Sequence, residues 1–390
     1  MNQESVRQPR VASIDLIRGA AMILMAIDHV RVYAGVPPGG ASPGVFFTRW
    51  VTHFCAPAFV FLAGTSAFLY GRSHAGLSRF LATRGLWLVF LELTFMRLAW
   101  TFNFDFAHYE LAGVIWMLGW CMILMAILVK LPIAVVGSAG VLIIAGHNLL
   151  DSYASELAPS LGGGLHAALW KILYIGFFAG PISMGPEGPN LIVLYSLIPW
   201  IGVMMAGYAF GRIMTLEPAR RDRLCLRLGL GAIGLFLVLR GFNLYGDPNP
   251  WTPATQKLSF LNTTKYPVSL SFLLMTLGPA IALIPVLEKA RGALARRVEV
   301  FGRVPFFFYV LHIPLIHALA LLVSWMREGA VNPWLFANHP MGAPRPPEGY
   351  AWGLPLLYLV WALAILILYP LCRWFAELKS RRKDWWLSYL

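Results

Sequence analysis

Charge is what this sequence has least of. Only 13% of its 390 residues are Asp, Glu, Lys or Arg, and just 18 are acidic. A soluble domain is about 25% charged and about 45–50% apolar. Here 58% of residues are hydrophobic and 14% aromatic, with a mean hydropathy of +0.66. Too little polar sequence remains to cover a globule of this size, which argues against a soluble enzyme. The apolar residues come in long blocks rather than repeats, which excludes a disordered or fibrous chain. Cysteine is also scarce. Cys55, Cys121, Cys225 and Cys372 show no paired metal spacing. All four lie in or beside apolar blocks, where a free thiol acts as a small hydrophobe. Neither a metal site nor a disulfide is expected. Long polar linkers are missing too, so residues 1–390 are expected to form one domain, with a cytoplasmic N-terminus (1–12) and a basic cytoplasmic tail (376–390).

What is present is an all-α, polytopic membrane bundle. A span needs about 20 mostly apolar residues. Ten blocks come close: Ser13–Tyr33, Phe46–Tyr70, Gly85–Phe102, Leu111–Val129, Ile133–Leu149, Leu191–Arg212, Leu224–Phe242, Val268–Leu287, Val304–Trp325 and Leu354–Arg373. Arg7 and Arg10 precede the first block, as in a signal peptide. That block carries Asp15, Arg18, Asp28 and His29, so it reads as an uncleaved first span. With ten spans and both termini cytoplasmic, most of the 31 Lys and Arg residues fall on inner segments. The net charge of +13 therefore reflects orientation toward anionic lipid and does not call for nucleic acid. The short stretch Leu165–Gly180 would reverse every later basic loop if it crossed, so it is expected to stay at the outer surface or dip and return. Trp251, Trp334, Tyr350 and Trp352 in the outer segments read as interfacial anchors, with sugar stacking as the alternative.

The informative charges lie inside the blocks. Ionisable groups at this depth cost at least a few kcal/mol unless they face a protein-lined or wet cavity. At 100° per residue Asp15, Arg18, Met22, Met25 and His29 share one face of the first span. Asp15 and Arg18 can pair at its inner end. Arg18 and His29 are roughly 16 Å apart along the axis. Arg49 and His53 face one way on the second span. Asp28, His29, Arg31, Arg49 and His53 are expected to share an outer-leaflet cavity. His317 reads at the same depth and His312 nearer the middle. Glu92 and Arg97 do not share a face, so each needs its own partner. Arg240, near a span end, reads as snorkelling to the headgroups. Taken singly, a buried histidine is an ordinary packing residue, and Arg31 and Arg49 could also snorkel. Convergence of several ionisable groups at one depth is harder to explain by packing.

A histidine beside a carboxylate is a general base near neutral pH. With arginines to hold an anion, such a base suits acyl transfer. No nucleophile elbow, zinc pair or phosphate loop is present. A secondary transporter or flippase for a small anion or glycolipid stays open, since proton relays also use buried His and Asp. That reading calls for broken helices in matched repeats, which the sequence does not display.

At these residues the chain resembles a known family. S-I-D-L-I-R-G-A-A-M-I-L-M-A-I-D-H-V-R (Ser13–Arg31) and H-F-C-A-P-A-F-V-F-L-A-G-T-S (His53–Ser66) are similar to the first two spans of bacterial membrane proteins like the catalytic domain of heparan-α-glucosaminide N-acetyltransferase. P-W-I-G-V-M-M-A-G-Y-A-F-G-R (Pro199–Arg212), T-K-Y-P-V-S-L (Thr264–Leu270) and F-G-R-V-P-F-F-F-Y-V-L-H-I-P-L-I-H (Phe301–His317) extend the likeness along nearly the whole chain. The Arg18-to-His29 spacing is similar to the R-x10-H pattern of the wider membrane acyltransferase superfamily. The resemblance implies a bacterial inner-membrane enzyme. It would move an acetyl group from cytoplasmic acetyl-CoA to an amino or hydroxyl group of an envelope sugar or glycolipid, with no metal. His29 would be the base, with Asp28 beside it, and Arg18 with Asp15 would serve the donor. The lysosomal enzyme departs at the His29 position and uses a later histidine, so His53 stays open as an alternative base. Arg31, Arg49, Glu92, Arg97, Lys265, His312 and His317 would support the cavity. The expected partners are the bilayer, acyl-CoA and the acceptor, and a homodimer is compatible with this reading.

Overall fold

The computed structural model describes residues 11–37, 42–160, 163–185, 187–252, 258–340, 344–382 and 384–389. Arg7, Arg10, Lys257 and Lys383, all part of the charge argument, lie outside the described residues. The chain is 73% helical with almost no strand, as an all-α bundle requires.

Helix α1 is Ala12–Tyr33. Helix α2 is Pro43–Gly71, with a 3-10 turn at Val51–Phe54. Helix α3 runs as Leu77–Leu91, a π turn at Glu92–Met96 and Arg97–Thr101. There follow α4 (Val114–Leu128), α5 (Ile133–Ser160), α6 (Leu165–Ala179), α7 (Leu197–Thr215) and α8 (Pro218–Gly241). Helices α9 (Leu270–Glu288), α10 (Ala293–Arg303), α11 (Pro305–Glu328) and α12 (Leu354–Arg381) complete the chain. Seven of them, α2, α5, α7, α8, α9, α11 and α12, are long and apolar enough to cross a membrane. The protein is a multi-pass membrane protein. The other three hydropathic blocks are helical as well. α4 is shorter, and α1 and α3 carry charged residues within their apolar runs.

Helix α1 is central and packs against α2, α10, α11, α12 and the end of α9. Its contact with α10 is backbone on backbone. A Cβ on Gly19 would run into the Val298 carbonyl, and one on Gly302 into the Asp15 carbonyl. Small residues allow this approach where lipid offers no hydrophobic drive between helices. By contrast α8 and α12 turn Leu230, Leu237, Leu359 and Leu366 outward, the surface a bilayer covers.

The face of the bundle where α1 begins is termed the near face, and the face where it ends the far face. The far face carries a small sheet in the order β1-β3-β2. β1 (Glu110–Ala112) pairs parallel with β3 (Asn190–Val193), and β2 (Ile182–Ser183) pairs antiparallel with it. The block expected to start a span at Leu191 is therefore corrected. Its first residues are strand, and helix begins at Leu197. A short apolar run looks the same in strand and helix until a pairing partner is known.

The aromatic residues of segment 329–353 are also reassigned. Trp334, Tyr350 and Trp352 are buried, so they neither anchor to lipid nor offer a free stacking face. The Trp352 amide donates to the Ala34 carbonyl at 2.9 Å, and the Tyr350 hydroxyl to the Tyr33 carbonyl at 3.0 Å. The Trp334 indole N–H donates to the Pro344 carbonyl at 2.9 Å, while that of Trp352 is buried without a partner among the described residues, and Tyr350 and Trp352 hold the end of α1. α6 is a shorter apolar helix. Its Lys171 is buried and donates to the Pro181 carbonyl at 2.9 Å.

Candidate active site

Two histidines from distant parts of the chain meet inside the bundle. His29 Nδ1 of α1 lies 2.6 Å from His312 Nε2 of α11, with the rings stacked at 4.8 Å. His312 Nδ1 faces the Tyr309 carbonyl at 2.6 Å. A carbonyl can only accept, so His312 Nδ1 carries its proton and Nε2 presents a lone pair. His29 Nδ1–H then donates to that lone pair. What remains is His29 Nε2, an unprotonated nitrogen with no hydrogen bond among the described residues. Trp100 packs edge-on to the His29 ring at 4.9 Å, which fixes its plane.

Residue spacing placed His317 at the depth of His29 and His312 nearer the middle. The structure keeps that order but sets His312, not His317, level with His29. Depth counted from the end of the block at Trp325 misjudges a helix that runs on to Glu328. His312 meets His29, and His317 lies one layer farther out.

Around His29 the structure gathers several other expected residues. Arg31 Nε donates to Asp28 Oδ1 at 2.7 Å, and its Nη1 to the Val36 carbonyl at 2.7 Å. Arg31 is therefore buried and paired rather than snorkelling. The 3-10 turn of α2 carries His53 inward, where it is 4% exposed and packs on Phe272 at 5.1 Å. Neither ring nitrogen of His53 has a hydrogen-bond partner among the described residues. Half-buried Arg49 lies within electrostatic range of it. Lys265 arrives from the loop between α8 and α9. Its Nζ sits 5.2 Å from the Tyr266 ring centre and 6.0 Å from that of Tyr195. Its charge acts at once on Asp28, His29, His53 and Cys55.

A family model for heparan-alpha-glucosaminide N-acetyltransferase, catalytic, matches residues 10–243. The chain belongs to that family. No curated protein matches it. The matched stretch holds Arg18, His29 and His53, while Lys265 and His312 lie beyond it. The tertiary structure thus brings residues from outside the family match onto those inside it.

In this family member the near-face end of α1 is also polar. Arg18 Nη2 donates to the Leu62 carbonyl at 3.0 Å and to the Ser66 hydroxyl. Its Nη1 lies 3.8 Å from Asp15. Arg84 of α3, just before the apolar block expected to start at Gly85, sits 5.9 Å from the rings of both Phe80 and Phe306. Its charge and that of Arg18 act on each other. Arg303 has a buried Nε without a hydrogen-bond partner among the described residues.

Other expected residues sit apart from the histidine pair and have structural partners. Glu92 accepts from the amides of Ile115 and Trp116 at 2.9 and 3.1 Å. It thereby caps the positive end of α4. Arg97 donates to the Tyr109 and Asn103 carbonyls at 3.0 and 2.7 Å, to Thr101 Oγ1 at 2.6 Å, and to the Asp105 carbonyl. His317 has Nδ1 3.1 Å from the Ala99 carbonyl and Nε2 2.9 Å from the Leu335 carbonyl. Its ring lies between Phe102 and Tyr33. Phe102 adopts a left-handed conformation, φ 47°, which the stacking on His317 holds in place.

Arg240 is not a snorkelling residue. It is 3% exposed and donates to the carbonyls of Phe260, Asn249, Ser259 and Asn262. It also pairs with Asp247 at 3.7 Å. Asp247 in turn accepts from Thr264 and Ser269. This hub orders the loop that carries Lys265. Tyr195, Tyr266 and Trp100 were not expected from sequence. The T-K-Y-P motif gave the one available signal, by placing Tyr266 beside Lys265. All four cysteines are buried and free. Among the described residues no cluster of three His, Cys, Asp or Glu side chains could hold a metal ion.

Proposed function

We propose that this protein transfers an acetyl group from cytoplasmic acetyl-CoA to an amino or hydroxyl group of a sugar outside the membrane. One observation carries the reading: the hydrogen-bond chain from the Tyr309 carbonyl through His312 to His29, which leaves His29 Nε2 as a bare base. The acceptor nitrogen or oxygen attacks the thioester carbonyl, and His29 Nε2 takes the proton it loses. The C–S bond then breaks, and the departing CoA sulfur collects that proton from His29. Acetylated acceptor and free CoA are the products. Asp28, held by Arg31, adds negative charge near the imidazolium that forms.

The donor would enter from the near face. Arg18, Arg84 and Arg303 suit the phosphates of a nucleotide, and Arg18 lies on the same helix as His29. In this reading ten helices cross the bacterial inner membrane: α1 to α5, α7 to α9, α11 and α12. α6 and α10 stay at the surfaces, and both termini are cytoplasmic. The chain acts as one domain.

Purified protein given acetyl-CoA labelled in the acetyl group, with a panel of amino sugars and neutral glycans, tests the reaction. Label should move to an acceptor, and His29→Ala should stop it. If wild type and H29A both leave the label on CoA, the reading fails. A reporter fused after Gly188 should face outward, and a cytoplasmic signal there would overturn the span assignment.

A further inference from the structure

The reaction above generates an oxyanion on the acyl carbon, and the His29–His312 pair has no donor to spare for it. We infer that Lys265 and His53 together form the pocket that holds this oxyanion. The inference rests on the acyl-transfer reading and adds the groups that reading lacks. Three observations lead to it. His53 is 4% exposed, yet both ring nitrogens lack partners among the described residues. A buried polar group left so is costly, and its place in the fold is best explained by something that binds there. Lys265 Nζ makes no hydrogen bond among the described residues and rests over the faces of Tyr195 and Tyr266. Asp28, the nearby carboxylate, is engaged by Arg31, so the Lys265 charge is not neutralised in kind.

The loop carrying Lys265 is built to hold it still. The Arg240–Asp247 hub fixes Thr264 and Ser269 on either side, and Lys265 bridges to Val268. Fixed donors aimed where charge develops are what an oxyanion pocket requires. His53 keeps one N–H whichever ring nitrogen bears it, so it contributes a donor rather than a second base. When the tetrahedral intermediate forms, the carbonyl oxygen takes up the electron pair and is met by the Lys265 ammonium and the His53 N–H. On collapse that pair returns to the carbonyl as the C–S bond breaks.

The test uses full-length protein in lipid nanodiscs, with acetyl-CoA as donor and CoA release in the presence of glucosamine as readout. Lys265→Met should lower kcat by about 10²–10³-fold, with the KM for acetyl-CoA within threefold of wild type. His53→Ala should lose kcat the same way, and His53→Gln, which keeps an N–H near the Nε2 position, should recover at least tenfold of that loss. If K265M does not fold, Lys265→Arg keeps the charge over the tyrosines but moves the donors, and its kcat should fall at least tenfold. An unchanged kcat in K265M, or in K265R where only that variant folds, overturns the inference, as does a loss confined to KM. If H29A abolishes release while K265M and H53A retain it, the oxyanion pocket alone is wrong. If H29A is as active as wild type, the transfer reading itself is wrong.

Discussion

Two layers of polar groups lie one above the other at the far end of α1, and they differ in one respect. In the outer layer the charged and histidine side chains at its centre are engaged by backbone, although the Tyr109 hydroxyl, His339 Nε2 and the Trp352 indole nitrogen have no hydrogen-bond partner among the described residues. His317 spans two carbonyls between two rings, Arg97 feeds carbonyls and a hydroxyl, and Tyr33, Tyr350 and Trp352 bond to backbone. In the inner layer, around His29, groups remain open: His29 Nε2, both nitrogens of His53 and the Lys265 ammonium. Both layers are built from histidine, arginine and tyrosine. Paired charges rigidify a fold, whereas unpaired buried ones are costly unless something fills the space beside them. The comparison teaches that intramembrane charge marks a site only where the protein leaves it unfinished.

The contrast can be broken in order of effect. His29→Ala should reduce acetyl transfer by about 10²–10⁴-fold, the usual worth of a general base, without moving the melting temperature in detergent. Arg97→Met, in the outer layer, should do the opposite. It strips donors from several carbonyls, each worth about 1–3 kcal/mol when left bare, so thermal unfolding should show a loss of several kcal/mol. A matched pair sharpens the difference. His312→Leu should lower the rate by about 10²-fold, because His29 loses the acceptor that sets its tautomer. His317→Leu should destabilise by about 2 kcal/mol and leave the rate of the folded fraction unchanged. If both leucine variants act on the same observable, the two layers are not distinct.

Glu110 tests the edge of the outer layer through pH. Burial pushes its carboxyl up to about 7, against the pull of the Arg97 charge. Folding therefore favours the protonated acid. Its contribution is greatest below the ordinary value of 4.5 and declines as pH rises toward 7. Glu110→Gln should flatten the stability profile between pH 4.5 and 7 and leave it parallel to wild type above that. A slope unchanged by E110Q would remove Glu110 from the account. The smallest effect is expected from Tyr350→Phe. It removes one hydrogen bond to the Tyr33 carbonyl and should cost about 0.5–1.5 kcal/mol with full activity retained.

Much of this molecule could be read along the chain. Apolar block length and charge bias are local properties, so a multi-pass helical protein followed from composition, and the Ser13–Arg31 stretch pointed to the family. The Asp15–Arg18 and Asp28–Arg31 pairs were within reach because a helix sets residues three apart side by side. Arg240, Glu92 and His317 were not legible in their true roles. Their partners are backbone groups 9 or more residues away, and backbone amides and carbonyls have no letter in the sequence. The same reason hid the Tyr309 carbonyl that sets the His312 tautomer, and the strand at Leu191, which exists only because β1 and β2 pair with it. The sequence by itself determined that charged groups must lie inside a membrane protein and which helix holds most of them. Only the tertiary structure decided which of those groups are finished and which stay open, because saturation depends on where distant backbone lands.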